Sequence, residues 1–265
     1  MNFVAAGPTL IAIGSGKGGT GKTFLTLALA QALADQGERV LVCDADLGLA
    51  NAAVHLGLAE AGDLPALLAG KIALAGATVP VATPGHAHFD LLGAPAGSGA
   101  LADANEDTAA SLATQLRRAH AYDLVAIDLG AGVGAPVMAL AAMADETIVA
   151  MTPDPAALTD AYAFVKLMLK RTGTRAPSLI VNRASGAGEA KRSAEALIRA
   201  VKNFLRVGLT YRGFVPADAH VSEALCRQKA LAALHPQSPA QLAVTALAQG
   251  LRSREALAKA ARPLR

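Results

Sequence analysis

Gly16-Lys17-Gly18-Gly19-Thr20-Gly21-Lys22-Thr23, the stretch GKGGTGKT, decides how this chain folds. It fits the frame G-x-x-x-x-G-K-[ST], in which glycines let backbone N–H groups surround phosphate oxygens. The apolar run Leu10–Ile13 before it suits a buried strand, and apolar residues recur at helical spacing after it until Gly37. A strand, a glycine-rich loop and a helix in this order predict a P-loop.

Three side chains of this loop are candidates for chemical roles. Lys22 should reach the β- and γ-phosphates, and the hydroxyl of Thr23 should ligate Mg²⁺. The helix that begins here directs the positive end of its dipole toward the same charge. Lys17 is not needed for this cradle, so it is either a cation with a specific role or a solvated lysine that adds only to the field.

The bulk composition describes a helix-rich globular protein. The 265 residues suffice for one large α/β domain, and hydrophobic residues make up 53%, mostly alanine and leucine, with 3% aromatics. The net charge of +3 argues against nucleic acid as the main partner. Neither a signal peptide nor a membrane span is visible. We therefore expect a single cytoplasmic domain over residues 1–265.

The two cysteines carry no site of their own. Cys43 and Cys226 are far apart in the sequence and neither belongs to a C-x-x-C pair. Cys43 lies in the apolar run Val40–Cys43 and is predicted to be a small core residue. Because a bridging iron–sulfur cluster needs paired thiolates, this count argues against a redox enzyme.

Strand-like and helix-like patterns alternate almost to the end of the chain. The predicted strands are 10–15, 39–43, 89–92, 124–128, 146–151, 178–181 and 207–215. The predicted helices are 23–36, 107–120, 136–143, 159–172 and 189–204. This alternation predicts an α/β fold with a mostly parallel sheet and helices on both faces. The stretch 93–105 is predicted to be a long surface loop or a mobile segment near the site.

Aspartates stand where two of these strands end, which is the edge where such sheets bind ligands. Asp44 and Asp46 follow the second strand, so one can face Mg²⁺ while the other faces the attacking water. Asp128 ends another strand before Leu129-Gly130-Ala131-Gly132, the Walker B arrangement for holding Mg²⁺. Aspartates at strand ends also form turns, but the P-loop upstream favours the magnesium interpretation.

Together these segments resemble the MinD/ParA superfamily and, within it, the FlhG (FleN, YlxH) branch of flagellar-number ATPases. The resemblance covers nearly the whole chain. Its motifs are the P-loop with Lys17, DADLGLAN at 44–51, DLGAG at 128–132, TPDP at 152–155, LTDAYA at 158–163, VNR at 181–183, VPAD at 215–218 and HPQSPA at 235–240. Thr20 departs from the valine usual in the loop, and Leu129 from the usual Thr or Ser.

The resemblance implies an ATPase that forms a homodimer in its ATP state. Lys17 would contact the nucleotide of the partner subunit, Asp46 would orient the water, and Asn182 would hydrogen-bond the base. The implied catalytic residues are Lys17, Lys22 and Asp46, and the implied Mg²⁺ ligands are Thr23, Asp44 and Asp128. The implied ATP-binding residues are Gly16, Lys17, Gly18, Gly19, Thr20, Gly21, Lys22, Thr23, Asn182, Arg183, Pro216 and Asp218.

A C-terminal helix with a basic tail is predicted over residues 240–265. Leu247, Leu251, Leu257 and Leu264 could line one side, beside the cations Arg252, Arg254, Lys259, Arg262 and Arg265. Two interpretations stay open. The segment is either a weak amphipathic membrane-binding element, which would place the protein at the inner face of the cell membrane, or a solvated helix.

The leading functional hypothesis is an ATP-dependent switch that regulates flagellar number or placement. Its partners would be flagellar assembly factors or a transcriptional activator. A MinD-type division-site protein or a ParA-type partition protein would share the chemistry with a different cargo. A redox enzyme on this fold, and a binding module that never hydrolyses ATP, are the remaining alternatives.

Overall fold

The computed structural model describes residues 7–46, 50–95 and 104–252, which form one sheet with helices on both faces. Its strands are β1 (Thr9–Gly14), β2 (Val40–Ala45), β3 (Val79–Val81), β4 (Phe89–Leu92), β5 (Leu124–Leu129), β6 (Glu146–Met151), β7 (Ser178–Ala184) and β8 (Thr210–Pro216). Its helices are α1 (Lys22–Asp35), α2 (Ala52–Leu56), α3 (Leu64–Leu68), α4 (Leu74–Ala77), α5 (Glu106–Arg117), α6 (Ala135–Met143), α7 (Pro155–Thr172), α8 (Ala187–Leu205), α9 (Ala219–Cys226), α10 (Leu231–Leu234) and α11 (Pro239–Gln249).

The sheet order is β3-β4-β2-β5-β1-β6-β7-β8. All neighbours are parallel except β3 and β4, which pair antiparallel at one edge. The predicted mostly parallel α/β fold is therefore confirmed. The chain crosses from β5 over β1 to β6, so the carboxyl ends of β1, β2 and β5 lie side by side where a ligand can bind.

Strand β1 separates two hydrophobic cores. Leu10 and Ala12 pack in one core and Ile11 and Ile13 in the other, because successive side chains of a strand point to opposite faces. Helix α1 packs between the sheet and α11 and is buried on nearly every side. The helix that follows the P-loop is therefore held rigidly from both sides.

Several boundaries differ from those predicted. Helix α7 begins at Pro155 rather than Thr159, because the side chain of Asp154 accepts the Ala157 N–H and proline suits the first helical position. Strand β8 begins at Thr210 rather than Val207. The short elements α2, α3, α4, α10 and β3 have five residues or fewer, too few for a periodic pattern to show in the sequence.

The C-terminal prediction is only partly covered. Helix α11 ends at Gln249, and Leu251 is 4% exposed and packs in the core beneath it, so this leucine is not on a membrane-facing side. Arg252 lies 3.5 Å from the buried carboxylate of Glu38. Residues 253–265, like residues 96–103 of the predicted loop, lie outside the described residues. In the ranges the structure does describe, no helix is long and apolar enough to cross a bilayer.

Candidate functional site

The P-loop connects β1 to α1 at the carboxyl edge of the sheet, and glycine is required within it. Gly19 and Gly21 have φ of 75° and 85°, in the left-handed region that favours glycine. A Cβ on Gly21 would lie 2.4 Å from Nδ2 of Asn182. The loop is therefore pressed against the end of β7.

The start of α1 is built for an anion. Gly21 is its N-cap, no side chain caps it, and its first turn holds no acidic residue. Within the described ranges, the backbone N–H groups of Gly18, Gly19 and Gly21 donate to no protein group. Unpaired N–H groups and the positive end of a helix dipole together fit phosphate oxygens.

Lys22 lies buried beneath this loop. Its Nζ donates to Oγ of Ser15 at 3.0 Å, and that hydroxyl donates to the Lys17 carbonyl at 2.5 Å. Burial lowers the pKa of Lys22, while the charges of Asp128 and Asp46 oppose that shift. Ser15 was not predicted, because it stands outside the P-loop frame and no sequence signal distinguishes it.

Asp128 ends β5 beside the first turn of α1. Its Oδ2 accepts a 2.6 Å hydrogen bond from the Thr23 hydroxyl, and its Oδ1 accepts one of 3.3 Å from Thr26. Burial and the nearby charge of Asp44 raise the pKa of Asp128 to about 7, against the opposing effects of Thr23 and Lys22. The structure thus brings together the P-loop threonine and the Walker B aspartate, as predicted.

Asp44 lies directly opposite Asp128 in the register of β2 and β5. Its carboxylate accepts the N–H groups of Asp46 at 3.2 Å and of Asn51 and Ala52 at 2.9 Å, which fixes the turn leading into α2. Burial raises the pKa of Asp44, and these three hydrogen bonds oppose the shift. This organising role was not predicted, and ligation of Mg²⁺ by Asp44 stays a prediction.

Mg²⁺ fits the donor set of this site. Two neighbouring carboxylates and the Thr23 hydroxyl supply oxygen, the element that Mg²⁺ prefers. Among the described residues, no group of three or more His, Cys, Asp or Glu is arranged to hold a metal by itself. The ion would therefore also depend on phosphate and water oxygens, as is usual for Mg²⁺.

Asp46 lies where the two loops after β2 and β5 approach each other. A Cβ on Gly130 would lie 3.5 Å from Oδ1 of Asp46, so only a residue without a side chain allows this approach at no cost. The N–H of Gly132 donates to the Ser15 carbonyl at 3.1 Å, which joins the second loop to the P-loop. Residues 47–49 of the predicted switch segment lie outside the described residues.

Lys17 forms a contact that the sequence did not reveal. Its Nζ donates to Oδ1 of Asp154 at 2.9 Å, and Oδ2 of the same carboxylate accepts the Thr152 hydroxyl at 2.5 Å. The TPDP motif contains both partners, but its match to a family pattern gave them no role. In this structure the lysine is held by its own chain.

A cavity of about 590 Å³ opens beside the P-loop. Its size suits a small organic ligand. Four residues predicted to bind nucleotide, Asn182, Arg183, Pro216 and Asp218, line it together with Gly19, Gly21, Phe24, Val215, Ala217, Ala219, Val221, Ser222 and Leu225.

Two of these predicted ligands also hold the cavity walls in place. The 2% exposed Asn182 donates from Nδ2 to the Thr20 carbonyl at 2.8 Å and accepts the Arg183 N–H at 3.0 Å. Asp218 accepts the N–H groups of His220 and Ala240 at 3.0 Å each, which joins the starts of α9 and α11. Their direct contact with a base stays a prediction.

Comparison with known proteins was made for the whole chain. The model of the CobQ/CobB/MinD/ParA nucleotide binding domain matches residues 11–231. The antiactivator FleN of Pseudomonas aeruginosa is 34% identical over 249 residues, which is 91% of this chain and 85% of FleN. The flagellum site-determining protein YlxH of Helicobacter pylori is 31% identical over 232 residues, or 85% of this chain and 76% of YlxH.

A solved structure extends the similarity to the fold. The septum site-determining protein MinD of Pyrococcus horikoshii OT3, complexed with Mg-ADP, matches with a TM-score of 0.78 and 26% identity. The match covers 96% of this chain and 100% of that one.

Proposed function

We propose, since this chain belongs to the CobQ/CobB/MinD/ParA nucleotide-binding family, that it is an ATP-driven switch that regulates the number or placement of flagella. The chain is an ATPase, and it uses ATP together with Mg²⁺. The observation that carries the flagellar role is its similarity to FleN, which extends over 91% of the chain. FleN is an antiactivator, so the corresponding partner here is an activator or an assembly factor of the flagellum.

The residues of the site divide the work of hydrolysis. Free N–H groups at the start of α1 and the buried Lys22 bind the phosphates, and Thr23 with Asp128 and Asp44 holds the magnesium shell. Mg²⁺ neutralises charge that develops on the transferred phosphoryl group. Asp46, close to Gly130, orients the attacking water, and Lys17 acts on the nucleotide of a second subunit.

The switch follows from contacts that differ between two nucleotide states. Before hydrolysis, the loops containing Asp46 and Gly130 have a γ-phosphate to contact, and afterwards they do not. We propose that ATP closes a homodimer and that hydrolysis opens it, which changes the surface offered to the flagellar partner. A peripheral membrane contact of the closed dimer belongs to the same proposal.

Deletion of the gene in its own host tests the flagellar role. The expected result is a changed number or position of filaments, counted by electron microscopy. The wild-type gene should restore the count, and a gene encoding Asp46→Ala, expressed to the same level, should not. A deletion strain with normal filaments would contradict the proposal.

A MinD-type division role is the second candidate, because the fold matches MinD with a TM-score of 0.78. It predicts minicells or misplaced septa in the same deletion strain, with unchanged filaments. Cell length and septum position, scored in the same cultures, distinguish the two functions.

A further inference from the structure

Positive charge is concentrated in one part of the chain. From Pro155, the start of α7, to Arg206, which ends α8, there are ten lysines and arginines and three acidic residues, a net charge of +7. The whole chain carries only +3, so the remainder is negative, at −4. All ten cations are exposed. The basic residues that look scattered in the sequence are gathered by the fold onto α7, α8 and the loops that follow them.

The most exposed large hydrophobic side chain of the described residues lies in this segment. Phe204, in the last turn of α8, is 76% exposed, and the next is Leu242 of α11 at 51%. Lys202 and Arg206 stand two residues to either side of Phe204, and both are exposed. Single exposed apolar residues are common, but an aromatic ring between cations is typical of side chains that enter the interface of an anionic bilayer.

This end of α8 lies opposite the nucleotide site. Helix α8 joins the parallel strands β7 and β8, so it runs antiparallel to them and ends at the amino edge of the sheet. The P-loop, Asp44 and Asp128 are at the carboxyl edge. A surface bound at Phe204 would therefore leave the nucleotide edge free for a second subunit.

The chain leaves the described residues at the same amino edge. Nη1 of Arg212, near the start of β8, donates to the Gly250 carbonyl at 3.4 Å, and Arg252 pairs with Glu38, which precedes β2. The following stretch 253–265 carries four cations and one acidic residue. More positive charge is thus attached to the edge that presents Phe204.

We propose that the C-terminal end of α8 is a binding surface for anionic phospholipid bilayers. Phe204 inserts among the headgroups, and Arg199, Lys202 and Arg206 pair with lipid phosphates. A lysine or arginine close to an anionic membrane strengthens binding about fivefold. An exposed aromatic ring favours a bilayer over nucleic acid, since a polyanion in water needs only the cations. The proposal adds a membrane contact to the proposed switch but does not depend on its flagellar role.

Flotation with vesicles tests this surface on the full-length protein. Vesicles of phosphatidylcholine alone are compared with vesicles that also contain phosphatidylglycerol. Wild-type protein should float only with the anionic vesicles, and less so in high salt. Phe204→Ser and Lys202→Glu should each weaken binding at least about fivefold. The matched controls are Leu242→Ser, an exposed apolar residue on α11, and Lys71→Glu, an exposed lysine outside the cationic segment.

Two further measurements make each outcome decisive. A chain ending at Arg252 should keep Phe204-dependent flotation, and thermal unfolding and ATP hydrolysis of the α8 variants should match wild type. Absence of wild-type flotation, or loss that needs only residues 253–265, would overturn the proposal. Retention of a DNA duplex that is lost in Lys202→Glu but kept in Phe204→Ser would overturn it in favour of nucleic acid. A failed flagellar test with normal flotation would leave this surface intact.

Discussion

Nζ of Lys17 lies 2.9 Å from Oδ1 of Asp154, so the extra lysine of the P-loop is tied to the residue that begins α7. The carboxylate is held in turn by the Thr152 hydroxyl and the Ala157 N–H, and these bonds, with that of Lys17, depress the pKa of Asp154 well below its usual range. If Lys17 acts on the nucleotide of a second subunit, this ion pair must break first. Asp154 is then a competitor of the dimer.

Replacing Asp154 by asparagine should strengthen ATP-dependent dimerisation. Asparagine still caps α7, but it no longer holds the ammonium of Lys17. Exposed ion pairs contribute about 0.2–1 kcal/mol, so the dimer dissociation constant should fall by a factor of about two to five. Analytical ultracentrifugation with a nonhydrolysable ATP analogue measures it. Asp63→Asn, at the N-cap of α3, is the matched control, and a weaker dimer in Asp154→Asn would refute this role.

Removing the carboxylate of Asp46 should separate hydrolysis from binding. Asp46 lies beside the second loop and close to Lys22, but it is not part of the cradle formed by the N–H groups of the P-loop. Loss of a group that positions or deprotonates the nucleophile costs about 10²-fold or more in rate. Asp46→Ala should therefore bind ATP with nearly wild-type affinity and hydrolyse it about 10²-fold more slowly. Phosphate release and ATP titration calorimetry measure the two quantities, with Glu60→Ala as the control for an exposed carboxylate.

Wild-type turnover in Asp46→Ala would show that another group aims the water. Equal loss of binding and turnover would instead show that Asp46 supports the fold of the site.

The raised pKa of Asp128 predicts competition between protons and Mg²⁺. The folded state holds a proton on Asp128 up to about pH 7, whereas an unfolded chain releases it near pH 4. Without metal, stability from this group is therefore present at low pH and is lost as the pH rises from about 4 through about 7. Binding of Mg²⁺ with nucleotide should strengthen over the same range, since the ion replaces the proton.

Asp128→Asn provides the test of this linkage. Above pH 7 and without metal, the variant should melt higher than wild type, by about 2–4 °C for each kcal/mol gained. Its affinity for Mg²⁺ with nucleotide should be weak and nearly independent of pH. Scanning calorimetry and binding titrations at pH values on both sides of 7 measure both effects. Equal pH dependence in variant and wild type would locate the linkage elsewhere.

The two cysteines should differ sharply in reactivity. Cys43 is fully buried in β2, and burial, with the charges of Asp44 and Asp128, raises the pKa of its thiol. Cys226, at the end of α9, is exposed. Ellman's reagent should label one thiol in the native protein and both in denaturant. Labelling of Cys43 without denaturant would show that β2 opens readily, and the Cys226→Ser variant isolates that measurement.

How far the sequence predicts this molecule depends on whether a signal is local. The P-loop, Asp44 and Asp128 could be found because each stands at a strand end, and parallel strands bring those ends together. Ser15, Thr26 and Asp154 could not, because their contacts with Lys22, Asp128 and Lys17 form only when the strands assemble. The cationic character of α7 and α8 was missed for the same reason, since a net charge does not say which residues share a face.

The contact between Gly21 and Asn182 predicts a coupled effect of two mutations. Gly21→Ala adds a Cβ at positive φ, which costs about 1–2 kcal/mol, and brings that Cβ to 2.4 Å from Nδ2 of Asn182. Gly70→Ala, at φ of 68° with open space around it, should show the backbone cost alone. Asn182→Ala loses its hydrogen bond to the Thr20 carbonyl, about 1 kcal/mol, but makes room for the new methyl group. The free energies of unfolding of the double variant should therefore fall short of additivity by about 1 kcal/mol. Strict additivity, measured by urea unfolding, would mean that the loop moves away from β7 at no cost.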